Sequence, residues 1–470
     1  MAHIRLFNHY MHTPYIILGM LEYAVLMLAV FGAFHLRFPD EAQRLIYQDG
    51  LWIFRAAMFA LVMHGATLAM GVYQSFLSEG FLSMVTRTVV AYCLLGCALF
   101  MVLHLLIAPL YLGNTVLVIA ILLSMLMITA LRWCFFHIVG FDKLRRRVVF
   151  FGAGRKAQNL LTTLRADSSS LSVDIIGCVP SGQEREVDEA FCLDCSNGWL
   201  EFARKNNVGE IVVVPDERRR GEGGEFPLEE LLDCKLAGIS VVEAIKFCER
   251  ETGKLELGLL HPGWMLFSDG FRYSKARDVV KRGFDLFVAG ILLLLIWPFM
   301  LLTALAVYLE SGGPVLYSQL RTGLNGKDFR VYKFRSMVVD AEKDGKAVWA
   351  TARDSRITRV GAFIRNTRLD ELPQLYNVFR GNMSFIGPRP ERPEIVCDLI
   401  EQIPYYDLRH RVKPGLMGWA QLKFPYGASV EDSAQKLRYD LYYSKNHSFL
   451  LDILILIQTA EVILLGKGVR

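Results

Sequence analysis

Four long apolar runs open the chain, roughly Pro14–His35, Leu51–Tyr73, Val85–Ile107 and Leu112–Phe136. Each is about 20 residues, enough to cross a hydrocarbon core of about 30 Å. The pattern then changes. Val148–Phe151 is strand-length and apolar, ends at Gly152-Ala-Gly154, and gives way to helical spacing as far as Leu164. Further short runs follow at Val173–Val179, Glu210–Val214 and Gly238–Val242. Strand-length runs alternating with helical stretches predict a doubly wound parallel sheet. A long apolar run returns at Phe284–Leu309, with Pro298 in its middle. After it, Val315–Gln319 and Phe329–Phe334 have the pattern of a β-hairpin whose turn is marked by Asn325-Gly326. Leu369, Leu372, Leu375, Tyr376 and Phe379 recur at three- and four-residue spacing, which predicts a helix over Leu369–Phe379 with Asp370 and Glu371 in its first turn. Phe449–Leu465 is apolar but carries Asp452 and Glu461, so it is placed at a membrane interface rather than across it.

This order of patterns divides the chain into a four-span transmembrane bundle (1–143), a Rossmann-like α/β domain (144–268), an interfacial connector with a membrane helix (269–310) and an α-rich domain with a small hairpin (311–470). Lys143 and Arg145–Arg147 follow the fourth run and place that end in the cytosol. Glu22, inside the first run, suits a headgroup-level position or a helix–helix contact better than a functional role. The connector Trp264–Asp278 mixes aromatic and basic residues, as suits a segment lying on a membrane. Proline removes one backbone hydrogen bond and kinks a helix, which leaves each arm of Phe284–Leu309 about 20 Å long, too short to span. That run is expected to be re-entrant, breaking at Pro298 and leaving by the face it entered; a fifth span is the alternative.

Hydrophobic residues make up 53% of the 470, which fits a membrane part joined to a large soluble part. The net charge of +5 carries no global signature for nucleic acid. The nine cysteines are scattered, as in a reducing cytosol. Cys192 and Cys195 form one C-x-x-C, but no second pair completes a zinc set. Met1–His12 is polar, and no small-residue cleavage site follows the first apolar run, so no cleavable signal peptide is evident.

Two places carry candidate chemistry. Gly152-x-Gly154-x-x-Ala157 could seat a pyrophosphate at a helix start, but the second strand ends in Val179-Pro180-Ser181, without the acid that a dinucleotide ribose needs. A bare scaffold is the better reading. The second place is Asp370-Glu371. Arg353, Arg356, Arg359, Arg365, Arg368, Arg380, Arg389 and Arg392 crowd the same stretch, and so many guanidiniums around two carboxylates suit an anionic substrate of the phosphate type.

The motifs KRGFD (Lys281–Asp285), YKFRSM (Tyr332–Met337), LDELPQL (Leu369–Leu375), MSFIGPRP (Met383–Pro390), KPGLMGWAQ (Lys413–Gln421) and DLYYSKN (Asp440–Asn446) resemble, in that order, those of the bacterial sugar transferases, which are polyprenyl-phosphate hexose-1-phosphate transferases. The front half resembles their large exopolysaccharide-initiating branch in architecture only. The resemblance implies that a UDP-sugar gives its sugar-1-phosphate to undecaprenyl phosphate and releases UMP. It makes Asp370 the nucleophile and Glu371 the residue that, with Asp370, holds Mg²⁺. It makes Arg365, Arg389 and Lys413 phosphate contacts and ties Lys333 and Arg335 to the same site. It puts the protein in the bacterial inner membrane, against the lipid bilayer, with its soluble domains in the cytosol. Two positions depart from the family pattern: Trp297-Pro298 stands where Ser-Pro is frequent, and Lys413 where Arg is common. A homodimer is expected from the large soluble addition. Two other readings compete. A membrane-tethered NAD-dependent nucleotide-sugar dehydratase or epimerase would need a Tyr-x-x-x-Lys and a ribose-binding acid in the sheet domain, and neither is found there. A non-catalytic assembly scaffold would leave Asp370-Glu371 without a reason.

Overall fold

The structure, a computed structural model, describes residues 3–6, 9–39, 50–69, 81–139, 146–166, 173–181, 185–196, 198–216, 226–271, 274–339, 356–424 and 429–464. Arg353, Lys143 and Arg145 lie outside these residues.

The apolar runs fold as helices α1 (Thr13–Arg37), α2 (Trp52–Ala69), α3 (Phe81–Val90), α4 (Cys97–Leu106) and α5 (Asn114–Val139). The third run is therefore not one regular helix: a π-helical turn, Ala91–Gly96, separates α3 from α4. Among these, α1 and α5 contain stretches long and apolar enough to cross a membrane, Ile16–Arg37 and Asn114–Phe135. Leu26, Val30, Phe59, Met63, Phe100 and Leu117 form their shared core. Glu22 is a helix–helix contact. Its carboxylate takes two hydrogen bonds from Arg132 on α5, at 2.6 and 2.9 Å, and both side chains are buried. Arg132 also donates to the Thr88 hydroxyl on α3. A charge in an apolar bundle persists only when paired and hydrogen-bonded, and this one ties three helices together.

In the same compact unit, which ends at Leu260, strands β1 (Arg146–Phe151), β2 (Val173–Val179), β3 (Glu210–Val213) and β4 (Ser240–Glu243) form a wholly parallel sheet of order β2-β1-β3-β4. Helices α6 (Arg155–Ala166) and α9 (Ala244–Thr252) share one core with Val148, Phe150 and Val212. Helices α7 (Trp199–Lys205) and α8 (Leu228–Leu236) share another with Val149, Phe151 and Ile211. Successive strand residues point to opposite faces, so both faces are covered, as a parallel sheet requires. Gly152 has φ +121°, and a Cβ there would lie 2.5 Å from the Val214 carbonyl oxygen, so the turn after β1 admits glycine only.

The second unit, from His261 onward, opens with the short helix α10 (Pro262–Phe267) and is built on α11 (Lys275–Ser311), 37 residues long. The chain stays helical through Pro298, so the expected interruption is at most a bend. The hairpin forms as predicted, with β5 (Leu316–Thr322) antiparallel to β6 (Asp328–Phe334) and Asn325 and Gly326 at positive φ in the turn. The helix expected over Leu369–Phe379 is split. Leu369–Glu371 is a 3₁₀ turn entered through Arg368 at φ +60°, and α13 begins only at Gln374 and runs to Arg380. Pro373 has no N–H to continue an α-helical ladder, so the helix restarts after it. α12 (Arg359–Asn366) precedes the turn; its first N–H groups, of Arg359 and Val360, are bonded by the Glu310 carboxylate from the end of α11. The C-terminal helices are α16 (Val430–Asn446) and α17 (Phe449–Leu464), with α14 (Pro393–Gln402) and α15 (Trp419–Lys423) before them. Asp452 does not interrupt an interfacial face of α17. It is buried, 2.7 Å from Lys281 Nζ and 2.7 Å from the Tyr443 hydroxyl, while Leu451 and Ile455 pack inward beside it.

Candidate active site

Asp370 and Glu371 sit in the 3₁₀ turn rather than at a helix start, so something other than a helix dipole holds their charge. For Glu371 it is a pair of cations. Lys333 Nζ from β6 lies 2.9 Å from Oε1, and Arg389 donates to the same oxygen at 2.8 Å. Burial pushes the Glu371 carboxyl upward, but Arg389 and Lys333 outweigh it and hold the group well below the usual carboxylate range. Asp370 differs. It is 8% exposed, and among the described residues its carboxylate takes no hydrogen bond and forms no ion pair. Burial raises its pKa, aided by Glu371 and opposed by Lys333, Arg389 and Arg365. Two adjacent carboxylates thus have different surroundings: one is fixed and ionised, the other is sheltered and unpartnered.

Each supporting element is held from behind. Asn377 of α13 accepts from the Tyr332 N–H at 3.2 Å and donates to the Arg330 carbonyl at 2.6 Å, so α13 is locked to the strand that carries Lys333. Arg282 of α11 donates to the carbonyls of Val378 and Phe379, each at 2.5 Å, and satisfies the end of α13. Asp285 takes bonds from the Ser384 hydroxyl and the Phe385 N–H on β7 (Ser384–Ile386), at 2.9 and 3.0 Å. β7 pairs in parallel with β8 (Gly415–Met417). There Cβ atoms on Gly387 and Gly415 would lie 2.2 Å from the Lys413 oxygen and 2.1 Å from the Gly387 nitrogen. The glycines of GPRP and KPG are therefore where two backbones touch.

The Arg389 backbone is gripped as well. Buried Arg409 donates to its carbonyl at 3.0 Å, is ion-paired to Asp440 of α16 at 2.8 Å, and reaches the Tyr406 hydroxyl at 2.5 Å. Sequence reasoning missed Arg409 as a support. The signal was Asp440, a carboxylate inside the otherwise aromatic DLYY tract.

Of the cations expected here, Lys333, Arg389 and Arg365 act on the acid pair. Arg335 does not hydrogen-bond there. It is buried against the end of α11, where it donates to the Ser311 carbonyl and hydroxyl and the Gly312 carbonyl at 2.9, 2.8 and 2.6 Å. Alternation within a strand would put Lys333 and Arg335 on one face, but β6 ends at Phe334, and Arg335, beyond it, turns to the end of α11. Lys413 lines a separate cavity with Arg277, Arg282 and Arg411. Elsewhere, the helix start after Gly152 is already served. Asp216 Oδ1 accepts from the Lys156 N–H at 2.9 Å, and Lys156 Nζ bonds the Asp216 carbonyl at 2.8 Å. In the C-x-x-C, burial pushes the Cys195 thiol up to about 12, and among the described residues no three His, Cys, Asp or Glu converge as metal ligands.

A sheltered, unpartnered carboxylate among cations is chemically suited to a phosphate-bearing group. The sequence model for the bacterial sugar transferases matches residues 276–466. The chain is 43% identical over 269 residues to UDP-N-acetylgalactosamine-undecaprenyl-phosphate N-acetylgalactosaminephosphotransferase of Aeromonas hydrophila, which is 57% of this chain and 62% of that protein, under two thirds of its length. It is 33% identical over 327 residues to UDP-glucose:undecaprenyl-phosphate glucose-1-phosphate transferase of Klebsiella pneumoniae, 69% of each chain. It is 40% identical over 203 residues to an exopolysaccharide production protein of Rhizobium leguminosarum bv. phaseoli, covering 98% of that protein and 40% of this one. The chain belongs to the bacterial sugar transferase family.

Proposed function

We propose that the protein transfers a hexose-1-phosphate, N-acetylated or not, from a UDP-sugar to undecaprenyl phosphate and releases UMP, as the first membrane step of exopolysaccharide or capsule synthesis. The contrast within the acid pair carries this reading. Glu371 is pinned, and Asp370 beside it is free to react. An Asp370 carboxylate oxygen attacks the sugar-side phosphorus. The bond from that phosphorus to the bridging oxygen breaks, and UMP leaves with the electron pair. The aspartyl phosphosugar is then attacked at phosphorus by an oxygen of undecaprenyl phosphate, which breaks the aspartyl P–O bond and restores the carboxylate. Lys333, Arg365 and Arg389 balance the charge of the incoming phosphates.

The donor set suits Mg²⁺. Both cations take Glu371 at Oε1, so no hydrogen bond among the described residues falls on Oε2. Asp370 adds a second free carboxylate, and Mg²⁺ favours one or two carboxylates completed by phosphate oxygens. Asp370 and Glu371 would hold the ion, which when bound neutralises diphosphate charge and improves the leaving group.

The membrane seat is re-entrant in this proposal, with the soluble domains in the cytosol and the parallel-sheet domain serving as a Rossmann-like scaffold. Residues on both sides of Pro298 bond to one compact unit: Arg282 and Asp285 before it, Glu310 after it, with Met300, Ala304 and Val307 packed around Ile364 and Leu372. A helix that crossed a bilayer between Asp285 and Met300 would have to find one domain on both faces. That supports entry and exit by the same face.

Asp370→Asn tests the chemistry. UMP release from a UDP-sugar and undecaprenyl phosphate should fall at least about a thousandfold, and radiolabelled sugar phosphate should no longer attach to the protein. Membrane insertion should be unchanged. Retained turnover would reject Asp370 as nucleophile.

A further inference from the structure

Apart from the acid pair, the second unit contains a cavity of about 650 Å³ whose lining includes neither Asp370 nor Glu371. Its charged lining consists of Arg277, Lys281, Arg282, Arg411 and Lys413 against Asp278 and Asp285. Several of these are committed: Lys281 to Asp452, Arg282 to the end of α13, and Asp285 to β7. Arg411 and Lys413 are different. Among the described residues neither makes a hydrogen bond or an ion pair, yet both face the same space. The rest of the wall joins an apolar side of Met265, Phe271, Leu408 and Val412 to the polar groups of Asn325, Ser444 and His447.

The surroundings indicate where a ligand would come from. Leu266 and Phe267, beside Met265, are 76% and 85% exposed, and Val279 and Val280, between Asp278 and Lys281, are 71% and 56% exposed. Lys281 and Arg282 lead directly into the apolar length of α11. Large apolar side chains exposed around a cationic hollow, at the root of a membrane helix, match a bilayer surface. A cation and a guanidinium fork without partners match a phosphate.

We propose that this cavity binds the anionic phosphate of a lipid, with the first carbons of its chain or glycerol against the apolar wall. The site is distinct from the reacting pair, so its occupancy does not depend on Asp370. Either of two lipids carries the required chemistry, an anionic phospholipid of the bilayer or a polyprenyl phosphate.

The test is native mass spectrometry of the full chain released from nanodiscs of phosphatidylcholine alone, with phosphatidylglycerol, or with undecaprenyl phosphate. Retention of either anionic lipid over phosphatidylcholine is expected, and which of the two is retained identifies the source. Arg411→Gln, at an exposed position, should lower that retention about tenfold, the order of one charge-assisted hydrogen bond, and Lys413→Gln similarly. Asp370→Asn should leave retention intact, which separates failure of this site from failure of the transferase chemistry. Equal retention of all three lipids, unchanged retention in Arg411→Gln, or displacement of the lipid by UDP-sugar would overturn the proposal.

Discussion

Asp216 and Asp370 each meet groups suited to anions, and the molecule uses the two in opposite ways. After Gly152, Asp216 bonds the backbone N–H of Lys156 and fills the helix start that a pyrophosphate would take. At Asp370 the cations are satisfied by a neighbour, Glu371, and the carboxylate in their midst is left without a bond. A motif that could seat phosphate is thus no evidence of a phosphate site until its donors are accounted for. The glycine turn has the more familiar spacing, but an acid of the same chain already takes its Lys156 N–H; the acid pair has the plainer sequence and keeps a carboxylate open.

Three substitutions probe this contrast. The largest effect is expected at the support behind Arg389. Asp440→Asn leaves the buried Arg409 guanidinium without its charge partner, which should cost about 3–5 kcal/mol of stability. Urea or thermal unfolding of the second unit would measure it, and a change within error would show that Arg409 is held by other groups. Next comes Arg389→Gln. It removes a donor from the site and should lower kcat/KM about 10²–10³-fold. It should also move the acid limb of the rate profile. In the proposed mechanism Asp370 reacts as the carboxylate, and burial already raises its pKa, so activity should fall, as pH drops, above the ordinary aspartate value of about 3.9. Arg389 lowers that pKa, so its removal should shift the limb to higher pH. A limb that stays in place would mean that Asp370 does not sense Arg389. The smallest effect belongs to the closed seat. Asp216→Ala should cost about 1 kcal/mol, as loss of a helix-start acceptor does, with turnover unchanged. A gain of nucleotide affinity in this variant, measured by calorimetry, would show that Asp216 blocks a competent site.

Much of this architecture was legible in the chain. Strand-length apolar runs alternating with helical stretches, and the Asn325-Gly326 turn signal, located all four parallel strands and the hairpin to within a few residues. The acid pair and its two cations, Lys333 and Arg389, were also recoverable from motifs. The errors arose where backbone or distant partners decide. Pro373 turned a predicted helix start into a 3₁₀ turn, and a one-dimensional hydrophobic period does not register a missing N–H. Arg335 looked like a site cation because it neighbours Lys333, yet its partners at Ser311 and Gly312 lie 24 and 23 positions away. Asp452 counted as a charge against spanning in the run Phe449–Leu465, and its partner, Lys281, is 171 positions earlier.

The two grips that α11 exerts, Arg282 on α13 and Glu310 on α12, belong to one continuous helix and must both be aimed correctly. Every residue turns a helix by about 100° and advances it about 1.5 Å. Inserting or deleting a single residue among the mostly apolar positions 286–299 would therefore swing one grip away while the other still held, even though neither Asp370 nor Glu371 was touched. This apolar stretch is free in its choice of most side chains and constrained in their number, so it should tolerate substitution and resist changes of length.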